Sequence, residues 1–428
     1  MVKIYIETYG CSENINESEI MAGLLERAGF EIVNNEEYAD LIIVNTCYVK
    51  KPTEDRIIFR LKQIKEMYPE KKLIVGGCMP EGIYNKLCNI VPHASLVSTH
   101  HITDIASVVE KTMKGKRIEL IGESRKIKLC LPKIRKNELI NIVPISSGCN
   151  SNCSYCCVRI AKGNLFSYPK NMIIKEISNA VRNDCKEIWI TSQDNASYGM
   201  DEGKEKLPDL INSISNINGQ FFVRIGMMNP RNVLPILEDL IESYKNEKIY
   251  KFLHLPLQAG DNDVLKSMNR GYTIEEFENI VKGFRKELRI QLWTDIIVGY
   301  PTETEEQFNK TLEFIKKIRP DWVNVSKYSH RPDTKASKLK LLNTKLIDKR
   351  SKIFSDETRK ISFEVKQKWV GWKGNVLISE RGKNKNQWFG RNSSYKPIIV
   401  ESSDNILGRI KRVNIERVSP SCLFGKII

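Results

Sequence analysis

Three cysteines stand close together in the run Gly148-Cys149-Asn150-Ser151-Asn152-Cys153-Ser154-Tyr155-Cys156. Thiolates are the usual ligands of iron–sulfur clusters, which normally take four. Three near thiolates with no obvious fourth leave one iron with an open position, the mark of a centre that binds a substrate. A zinc knuckle would need a fourth ligand nearby, and a redox pair at Cys153 and Cys156 would have no use for Cys149. Cys157 is adjacent but starts no second motif of this spacing. Three further cysteines, Cys11, Cys47 and Cys78, are far apart in the chain, yet each follows a predicted strand: Tyr9-Gly10-Cys11, Asn45-Thr46-Cys47 and Gly76-Gly77-Cys78. In an open parallel sheet the carboxyl ends of neighbouring strands line one crevice, so these thiols are expected to converge. Gly76 and Gly77 would let the backbone approach a bulky ligand closely. The competing reading of the three is ordinary burial of free cysteine.

The chain has 11 cysteines, an odd number, which favours metal or cluster ligation over a disulfide framework. Cys88, Cys130, Cys157, Cys185 and Cys422 read as buried structural thiols. No H-E-x-x-H, G-x-S-x-G, P-loop or G-x-G-x-x-G run occurs, so zincin, serine-hydrolase, NTPase and simple dinucleotide readings lose their signatures.

The elements that must hold these residues alternate strand and helix. In residues 1–114, strands are predicted at Lys3–Tyr9, Leu41–Asn45 and Leu73–Val75. Helices are predicted at Glu17–Ala28, Thr53–Tyr68, Pro80–Leu87 and Ile102–Met113. That order implies a doubly wound parallel sheet. Residues 115–138 read as a linker. Residues 139–368 hold a second β-α series of about six units, a partial barrel whose active site would lie at the carboxyl ends of its strands. They end in a long basic helix, Lys345–Lys368. Residues 369–428 show short alternating strands between Gly/Asn/Ser turns, as in a small β-barrel.

Charge is distributed unevenly. The net charge is +16, and residues 331–428 carry +14 of it. A basic module on a nearly neutral body is the footprint of a polyanion binder. In the terminal barrel Trp372, Trp388, Phe389, Tyr395 and Phe424 lie among Lys373, Arg381, Lys383, Lys385, Arg391, Lys411 and Arg412. Such cations suit RNA phosphates, while any single ring is as well explained by the barrel's own core. Mean hydropathy is −0.36. No apolar run approaches the ~20 residues that span a bilayer, so a cytoplasmic protein with no membrane association is expected.

Cys149-x-x-x-Cys153-x-x-Cys156, with an aromatic residue before the third cysteine, resembles the motif of the radical S-adenosylmethionine enzymes. The runs around Cys11, Cys47 and Cys78 further resemble the amino-terminal domain of the methylthiotransferases, and the terminal barrel resembles that family's RNA-binding TRAM domain. The likeness spans nearly the whole chain. It implies two [4Fe–4S] clusters, a radical-generating one on Cys149, Cys153 and Cys156 and an auxiliary one on Cys11, Cys47 and Cys78 that carries the sulfur. It implies two uses of S-adenosylmethionine: one methylates the sulfur, the other is cleaved reductively to a radical that takes hydrogen from the substrate. An external electron donor is needed.

Gln193 and Asp194, in Ser192-Gln193-Asp194, stand where the family places S-adenosylmethionine contacts, although the family usually has glycine at position 192. Arg224, Gln258 and Asp295 close strands and are candidates for the cofactor's carboxylate or ribose, for substrate, or for structure. Asp321 reads as a turn residue. The family acts on tRNA or on a ribosomal protein. The basic terminal module favours tRNA, and Arg224–Pro230 and Lys327–Thr334 look most like the archaeal and eukaryotic branch that modifies N6-threonylcarbamoyladenosine beside the anticodon. His330 and Arg331 would then meet the threonyl carboxylate. The alternatives are isopentenyl-adenosine tRNA, a ribosomal protein, or an RNA-binding protein whose cluster does no chemistry.

Overall fold

The computed structural model describes residues 1–203 and 206–428. The amino-terminal unit is a six-stranded, all-parallel sheet. Its strands are β1 (Lys3–Thr8), β2 (Glu31–Val33), β3 (Leu41–Thr46), β4 (Lys72–Gly77), β5 (Ser95–Ser98) and β6 (Glu119–Leu120), in the order β2-β1-β3-β4-β5-β6. Every residue of β3 is buried, which explains its apolar run Leu41–Val44. Ile20, Met21 and Leu25 of helix Ser12–Arg27 pack with Ile4 and Ile43 on one face. Ile57, Leu61 and Ile64 of helix Lys51–Met67 pack with Ile42 and Val75 on the other. The sheet is therefore doubly wound.

The second unit has six parallel strands, each feeding a helix. They are β7 (Ile140–Pro144), β10 (Glu187–Thr191), β11 (Phe222–Ile225), β12 (Phe252–His254), β13 (Gln291–Val298) and β14 (Trp322–Lys327). They form two sheets, β11-β10-β7 and β12-β13-β14. A small ribbon, β8 (Ser146–Ser147) with β9 (Phe166–Ser167), stands beside the Cys149 loop. Alternate residues split to two sides. Ile188, Val223, Leu253, Leu292 and Val323 join the helix-facing core. Trp189, Arg224, His254, Trp293, Asp295 and Asn324, of opposite parity and only partly buried, face the concave lumen.

The carboxyl-terminal strands β15 (Lys373–Arg381), β16 (Gln387–Arg391), β17 (Pro397–Glu401), β18 (Ile410–Val418) and β19 (Leu423–Ile427) close into a barrel. Val376, Ile378, Trp388, Ile398, Val413 and Leu423 fill it, so Trp388 belongs to the core.

Several boundaries differ from expectation. Helix Ser12–Arg27 begins five residues before the expected start, because Asn14 accepts the Cys11 backbone N–H at 3.3 Å and anchors the first turn. The expected helix at 80–87 is two short helices, Met79–Gly82 and Tyr84–Ile90. Helix Glu305–Ile318, expected to begin at Glu303, starts at its Thr304 cap, since Glu303 is committed to Arg350 and the Gly299 N–H. The stretch 115–138, expected as a linker with a strand or two, contributes β6 to the amino-terminal sheet, and its Lys128 and Leu129 are each 2% exposed.

Candidate active site

Cys11, Cys47 and Cys78 lie just beyond the carboxyl ends of β1, β3 and β4, and their loops are stitched together by Asn45 and Thr46. The Asn45 side chain donates to the Asn14 carbonyl at 2.8 Å and to the Ser18 hydroxyl at 2.9 Å. The Asn14 side chain donates to the Thr46 carbonyl at 3.2 Å. That same carbonyl accepts the Cys78 N–H at 3.0 Å, and the Thr46 hydroxyl donates to the Gly76 carbonyl at 2.6 Å. Asn45-Thr46-Cys47 thus fixes the other two loops as well as its own thiol.

The glycines serve this packing. Gly10 has φ +121°, and a Cβ there would lie 2.7 Å from Cys47 Cβ; Gly77 has φ +90°, and its Cβ would lie 2.4 Å from Asn45 Oδ1. Gly76, with ordinary clearance, does not share this need. The expected room for a ligand at Gly76-Gly77 is therefore a requirement of protein contacts at Gly77. Gly77→Ala combines left-handed strain with overlap, and is expected to cost about 2–4 kcal/mol. A lowered unfolding midpoint and reduced iron retention after reconstitution would check it.

Cys149, Cys153 and Cys156 follow β8. Gly148 adopts φ +72°, and a Cβ there would meet the Asn164 carbonyl. Three donors reach the sulfurs: the Ser151 N–H to Cys149 at 3.3 Å, the Val158 N–H to Cys156 at 3.4 Å and the Arg270 guanidinium to Cys153 at 3.2 Å. Donors aimed at sulfur are how a protein stabilises thiolate ligands and tunes a cluster.

Burial pushes the Cys11 thiol up to about 11, with the Lys162 charge opposing it. Cys11 opens to solvent at the crevice mouth, and it is crowding on its inner side that acts. Burial likewise raises Cys78, Cys149 and Cys156. Such thiols need a strong positive charge to become thiolates, and iron supplies it. Among the described residues no three His, Cys, Asp or Glu side chains are gathered as tightly as a single metal ion requires. The charges of Cys11 and Cys47 act on Cys78, and those of Cys149 and Cys153 act on Cys156, so each triplet is gathered in one neighbourhood.

A buried ionic network joins the two loops. Lys162, six residues after Cys156, pairs with Glu13 at 2.9 Å and Glu17 at 3.3 Å, both on the helix that Cys11 begins. Lys128 pairs with Glu17 at 2.7 Å. Thr99 bonds Glu17, and the Gln193 amide bonds Glu13. Gln193, expected at the cofactor, is thus tied to the amino-terminal unit. Glu13, Glu17, Lys128 and Lys162 were not singled out from sequence: the two glutamates stand in the polar run Ser12–Glu19 and the two lysines in mixed stretches, where nothing signals burial.

Other expected residues take varied places. Asp194 is buried and accepts from the Asn229 N–H at 2.9 Å, the Asn232 amide at 2.6 Å and the Ala196 N–H at 3.1 Å. Burial lifts its carboxyl to about 6 against those donors. Its contacts hold the loop beside Cys149 together. Gln258 has φ +74° and bonds through its backbone to Asp295 and Ile297. Asp295 bonds His254, another lumen residue missed from sequence, at 2.6 Å. Burial would raise the Asp295 carboxyl, but that bond and the other donors hold it below its ordinary value.

Arg331 departs from its expected role. It is buried, ion-paired with Glu54, bonded to the Val49 carbonyl at 3.2 Å and stacked 4.7 Å from the Tyr48 ring centroid. Its guanidinium bolts the barrel to the amino-terminal unit and is not free for a substrate carboxylate. His330 beside it is exposed. Arg391 departs too: it is buried and paired with Glu187 at 3.3 Å and Glu380 at 2.7 Å, so its charge is already taken. Asp321, expected in a turn, is buried and paired with Lys396 of the terminal barrel. Lys373, Arg381, Lys383 and Arg412 are exposed and Lys411 is partly so.

Three family models match in chain order: uncharacterized protein family UPF0004 at residues 3–99, the radical SAM superfamily at 143–315 and the TRAM domain at 367–428. The probable threonylcarbamoyladenosine tRNA methylthiotransferase of Methanothermobacter thermautotrophicus is 43% identical over 99% of this chain and 99% of its own. The chain belongs to the radical S-adenosylmethionine methylthiotransferases. The Pyrococcus horikoshii relative of this family, with the same name, is 41% identical over the full length of both chains. The Drosophila melanogaster threonylcarbamoyladenosine tRNA methylthiotransferase is 34% identical over 100% of this chain and 78% of its own. Among solved structures, the radical S-adenosylmethionine methyltransferase TsrM of Kitasatospora setae shares the fold, with a TM-score of 0.59 at 13% identity over 78% of this chain and 77% of that one. Membership in this methylthiotransferase family brings S-adenosylmethionine and a [4Fe–4S] cluster as cofactors. No helix among the described residues is long and apolar enough to cross a membrane.

Proposed function

We propose that this chain converts N6-threonylcarbamoyladenosine beside the tRNA anticodon to its 2-methylthio derivative, in the cytoplasm, using electrons from an external one-electron donor. The observation that carries this reading is the pair of three-thiol loops locked to each other across a buried seam by Lys162. A methylthiotransferase needs a sulfur donor and a radical source within reach of one substrate atom, and this seam holds two candidate centres at a fixed separation.

Cys149, Cys153 and Cys156 would hold the radical-generating cluster, and Cys11, Cys47 and Cys78 the auxiliary one. When bound, the clusters supply the electron for cleaving S-adenosylmethionine and the sulfur to be transferred. The chain's own residues orient and exclude water. Asn45 and Thr46 fix the auxiliary loops, Asp194 fixes the loop beside Cys149, and Arg270 and two backbone N–H groups set the charge at the sulfurs. Lumen residues His254, Trp293, Asp295 and Asn324 would face the flipped-out base, and Lys373, Arg381, Lys383, Lys411 and Arg412 would hold phosphates.

The test is anaerobic. Clusters are reconstituted, and reductant, S-adenosylmethionine and tRNA bearing threonylcarbamoyladenosine are added. The digested nucleosides are then read by mass spectrometry. The methylthio nucleoside is the expected product. 5′-Deoxyadenosine without it would keep the radical chemistry and move the substrate to isopentenyl-adenosine tRNA or a ribosomal protein. Neither product would leave an RNA-binding protein without turnover.

A further inference from the structure

The buried arginines are nearly all satisfied. Arg331 has Glu54, Arg350 has Glu303 and Glu305, Arg391 has Glu187 and Glu380, and Arg270 has the Pro256 carbonyl, Asn229 and Cys153. Arg331 keeps one unpartnered atom, its Nε, beside a full ion pair; Arg224 alone of these has neither a carboxylate nor a carbonyl partner among the described residues. It is half-buried on the lumen side of β11, and its Nε is buried with no hydrogen-bond partner. No described carboxylate pairs with it. Its contacts are rings: its guanidinium carbon lies 5.5 Å from the centroid of Trp189, 5.2 Å from Phe252 and 6.0 Å from Tyr395.

A second orphan donor faces the same lumen. The indole Nε1 of Trp293 is buried and unpartnered, and its ring lies 5.3 Å from Phe252. A guanidinium and an indole N–H, both without acceptors and sharing the Phe252 ring, form a receptor for an anion; unpaired buried donors cost free energy that a ligand oxygen restores. The flat walls suit a carboxylate on a molecule with a planar portion, and the guanidinium fork suits its two oxygens.

Two carboxylates are at hand in this chemistry, that of the methionine portion of S-adenosylmethionine and that of the threonyl group. Position separates them. Arg224 stands at mid-height in the sheet, in register with Trp189 and Ile142, and its guanidinium lies between the Phe252 and Tyr395 rings on the side where the terminal barrel docks: Arg391 binds Glu187 at the start of β10, and the Lys251 N–H donates to the Ser393 carbonyl. The Cys149 loop is at the other end of the strands, and S-adenosylmethionine must reach it. We propose that Arg224, assisted by Trp293, receives the carboxylate of the substrate's threonylcarbamoyl group and sets specificity for that nucleoside. This assignment rests on the functional reading above, and it gives Arg224 the role that Arg331 is too occupied to play.

The experiment compares reconstituted parent, R224Q, R224K and W293F on two anticodon stem-loop RNAs, one with threonylcarbamoyladenosine and one with its threoninamide analogue. Unfolding midpoints are measured alongside to show that each variant folds. For the acid RNA, R224Q is expected to raise KM about 10- to 100-fold, R224K less, and W293F about threefold to tenfold. The parent should treat the amide RNA as poorly as R224Q treats the acid, and R224Q should not distinguish the two. Affinity for S-adenosylmethionine, by equilibrium dialysis, should change less than about twofold in R224Q.

If S-adenosylmethionine affinity falls instead and the parent does not separate acid from amide, the carboxylate is the cofactor's and the assignment is overturned. It is equally overturned if R224Q keeps the parent's preference for the acid. Failure of the functional reading looks different: the parent makes no methylthio nucleoside from either RNA, while competition binding still reports whether acid and amide are told apart.

Discussion

Cys47→Ala is expected to eliminate the methylthio nucleoside and leave reductive cleavage of S-adenosylmethionine intact, whereas Cys153→Ala eliminates both. Cys47 belongs to the crevice at β1, β3 and β4, and none of the donors that reach Cys149, Cys153 and Cys156 comes from that crevice. Alanine there deletes only a sulfur. The Cβ keeps its contact with Gly10, and the Asn45 and Thr46 bonds that join the three loops do not involve the thiol. The variant should therefore fold, retain half of the reconstituted iron, and yield 5′-deoxyadenosine at a rate near the parent's. Iron analysis and chromatography of 5′-deoxyadenosine and methylthio nucleoside check this together. Methylthio product from Cys47→Ala would remove the crevice from the chemistry.

Lys162→Met is expected to destabilise the protein by about 3–5 kcal/mol at neutral pH, because it leaves buried carboxylates with too little countercharge. Glu13 and Glu17 would then share only Lys128 and uncharged donors. The penalty should depend on pH, and the sign follows from Glu17. Burial alone would raise its carboxyl, but Lys128 and Lys162 overcome burial and hold it below the ordinary glutamate value of 4.5. A carboxyl lowered in the folded state contributes stability above its unfolded pKa, and that stability is lost as pH falls through the folded value. Urea unfolding of parent and variant should thus show the full gap near pH 7, a gap that narrows below about pH 4.5, and a much smaller one at about pH 2, where folded Glu17 takes up its proton. An equal gap at the two extremes would mean that Lys162 acts through packing and not through charge.

The two thiol triplets could be located from sequence because everything that places them is local. Cys11, Cys47, Cys78 and Cys149 each follow a strand within one to three residues, Cys153 and Cys156 come on the same loop as Cys149, and the glycines at 10, 77 and 148 punctuate the turns. The units around them were legible for a similar reason, since a run such as Leu41–Thr46 has only one comfortable place, inside a parallel sheet. What escaped was pairing across distance. Lys162 meets Glu17 across 145 positions, Arg391 meets Glu187 across 204 and Arg331 meets Glu54 across 277. No spacing rule connects such residues. Charge density therefore assigned Arg391 to RNA and a plausible neighbour assigned Arg331 to substrate, although folding turns both inward. Arg224 shows the converse, since only the absence of a partner in three dimensions sets it apart from them.

The docking of the terminal barrel has a consequence for target choice. Arg391, Tyr395 and Lys396 anchor it to β10, to Arg224 in the lumen and to Asp321. A module held in this way is no tether that searches a volume. It is a gauge: RNA seated on its outer strands presents to the lumen only the nucleotide lying at one set distance from the seat. Selection can then rest on measured length along the RNA as much as on the identity of the base, and an anticodon loop longer or shorter by one residue would bring the wrong nucleotide to the thiol-lined seam.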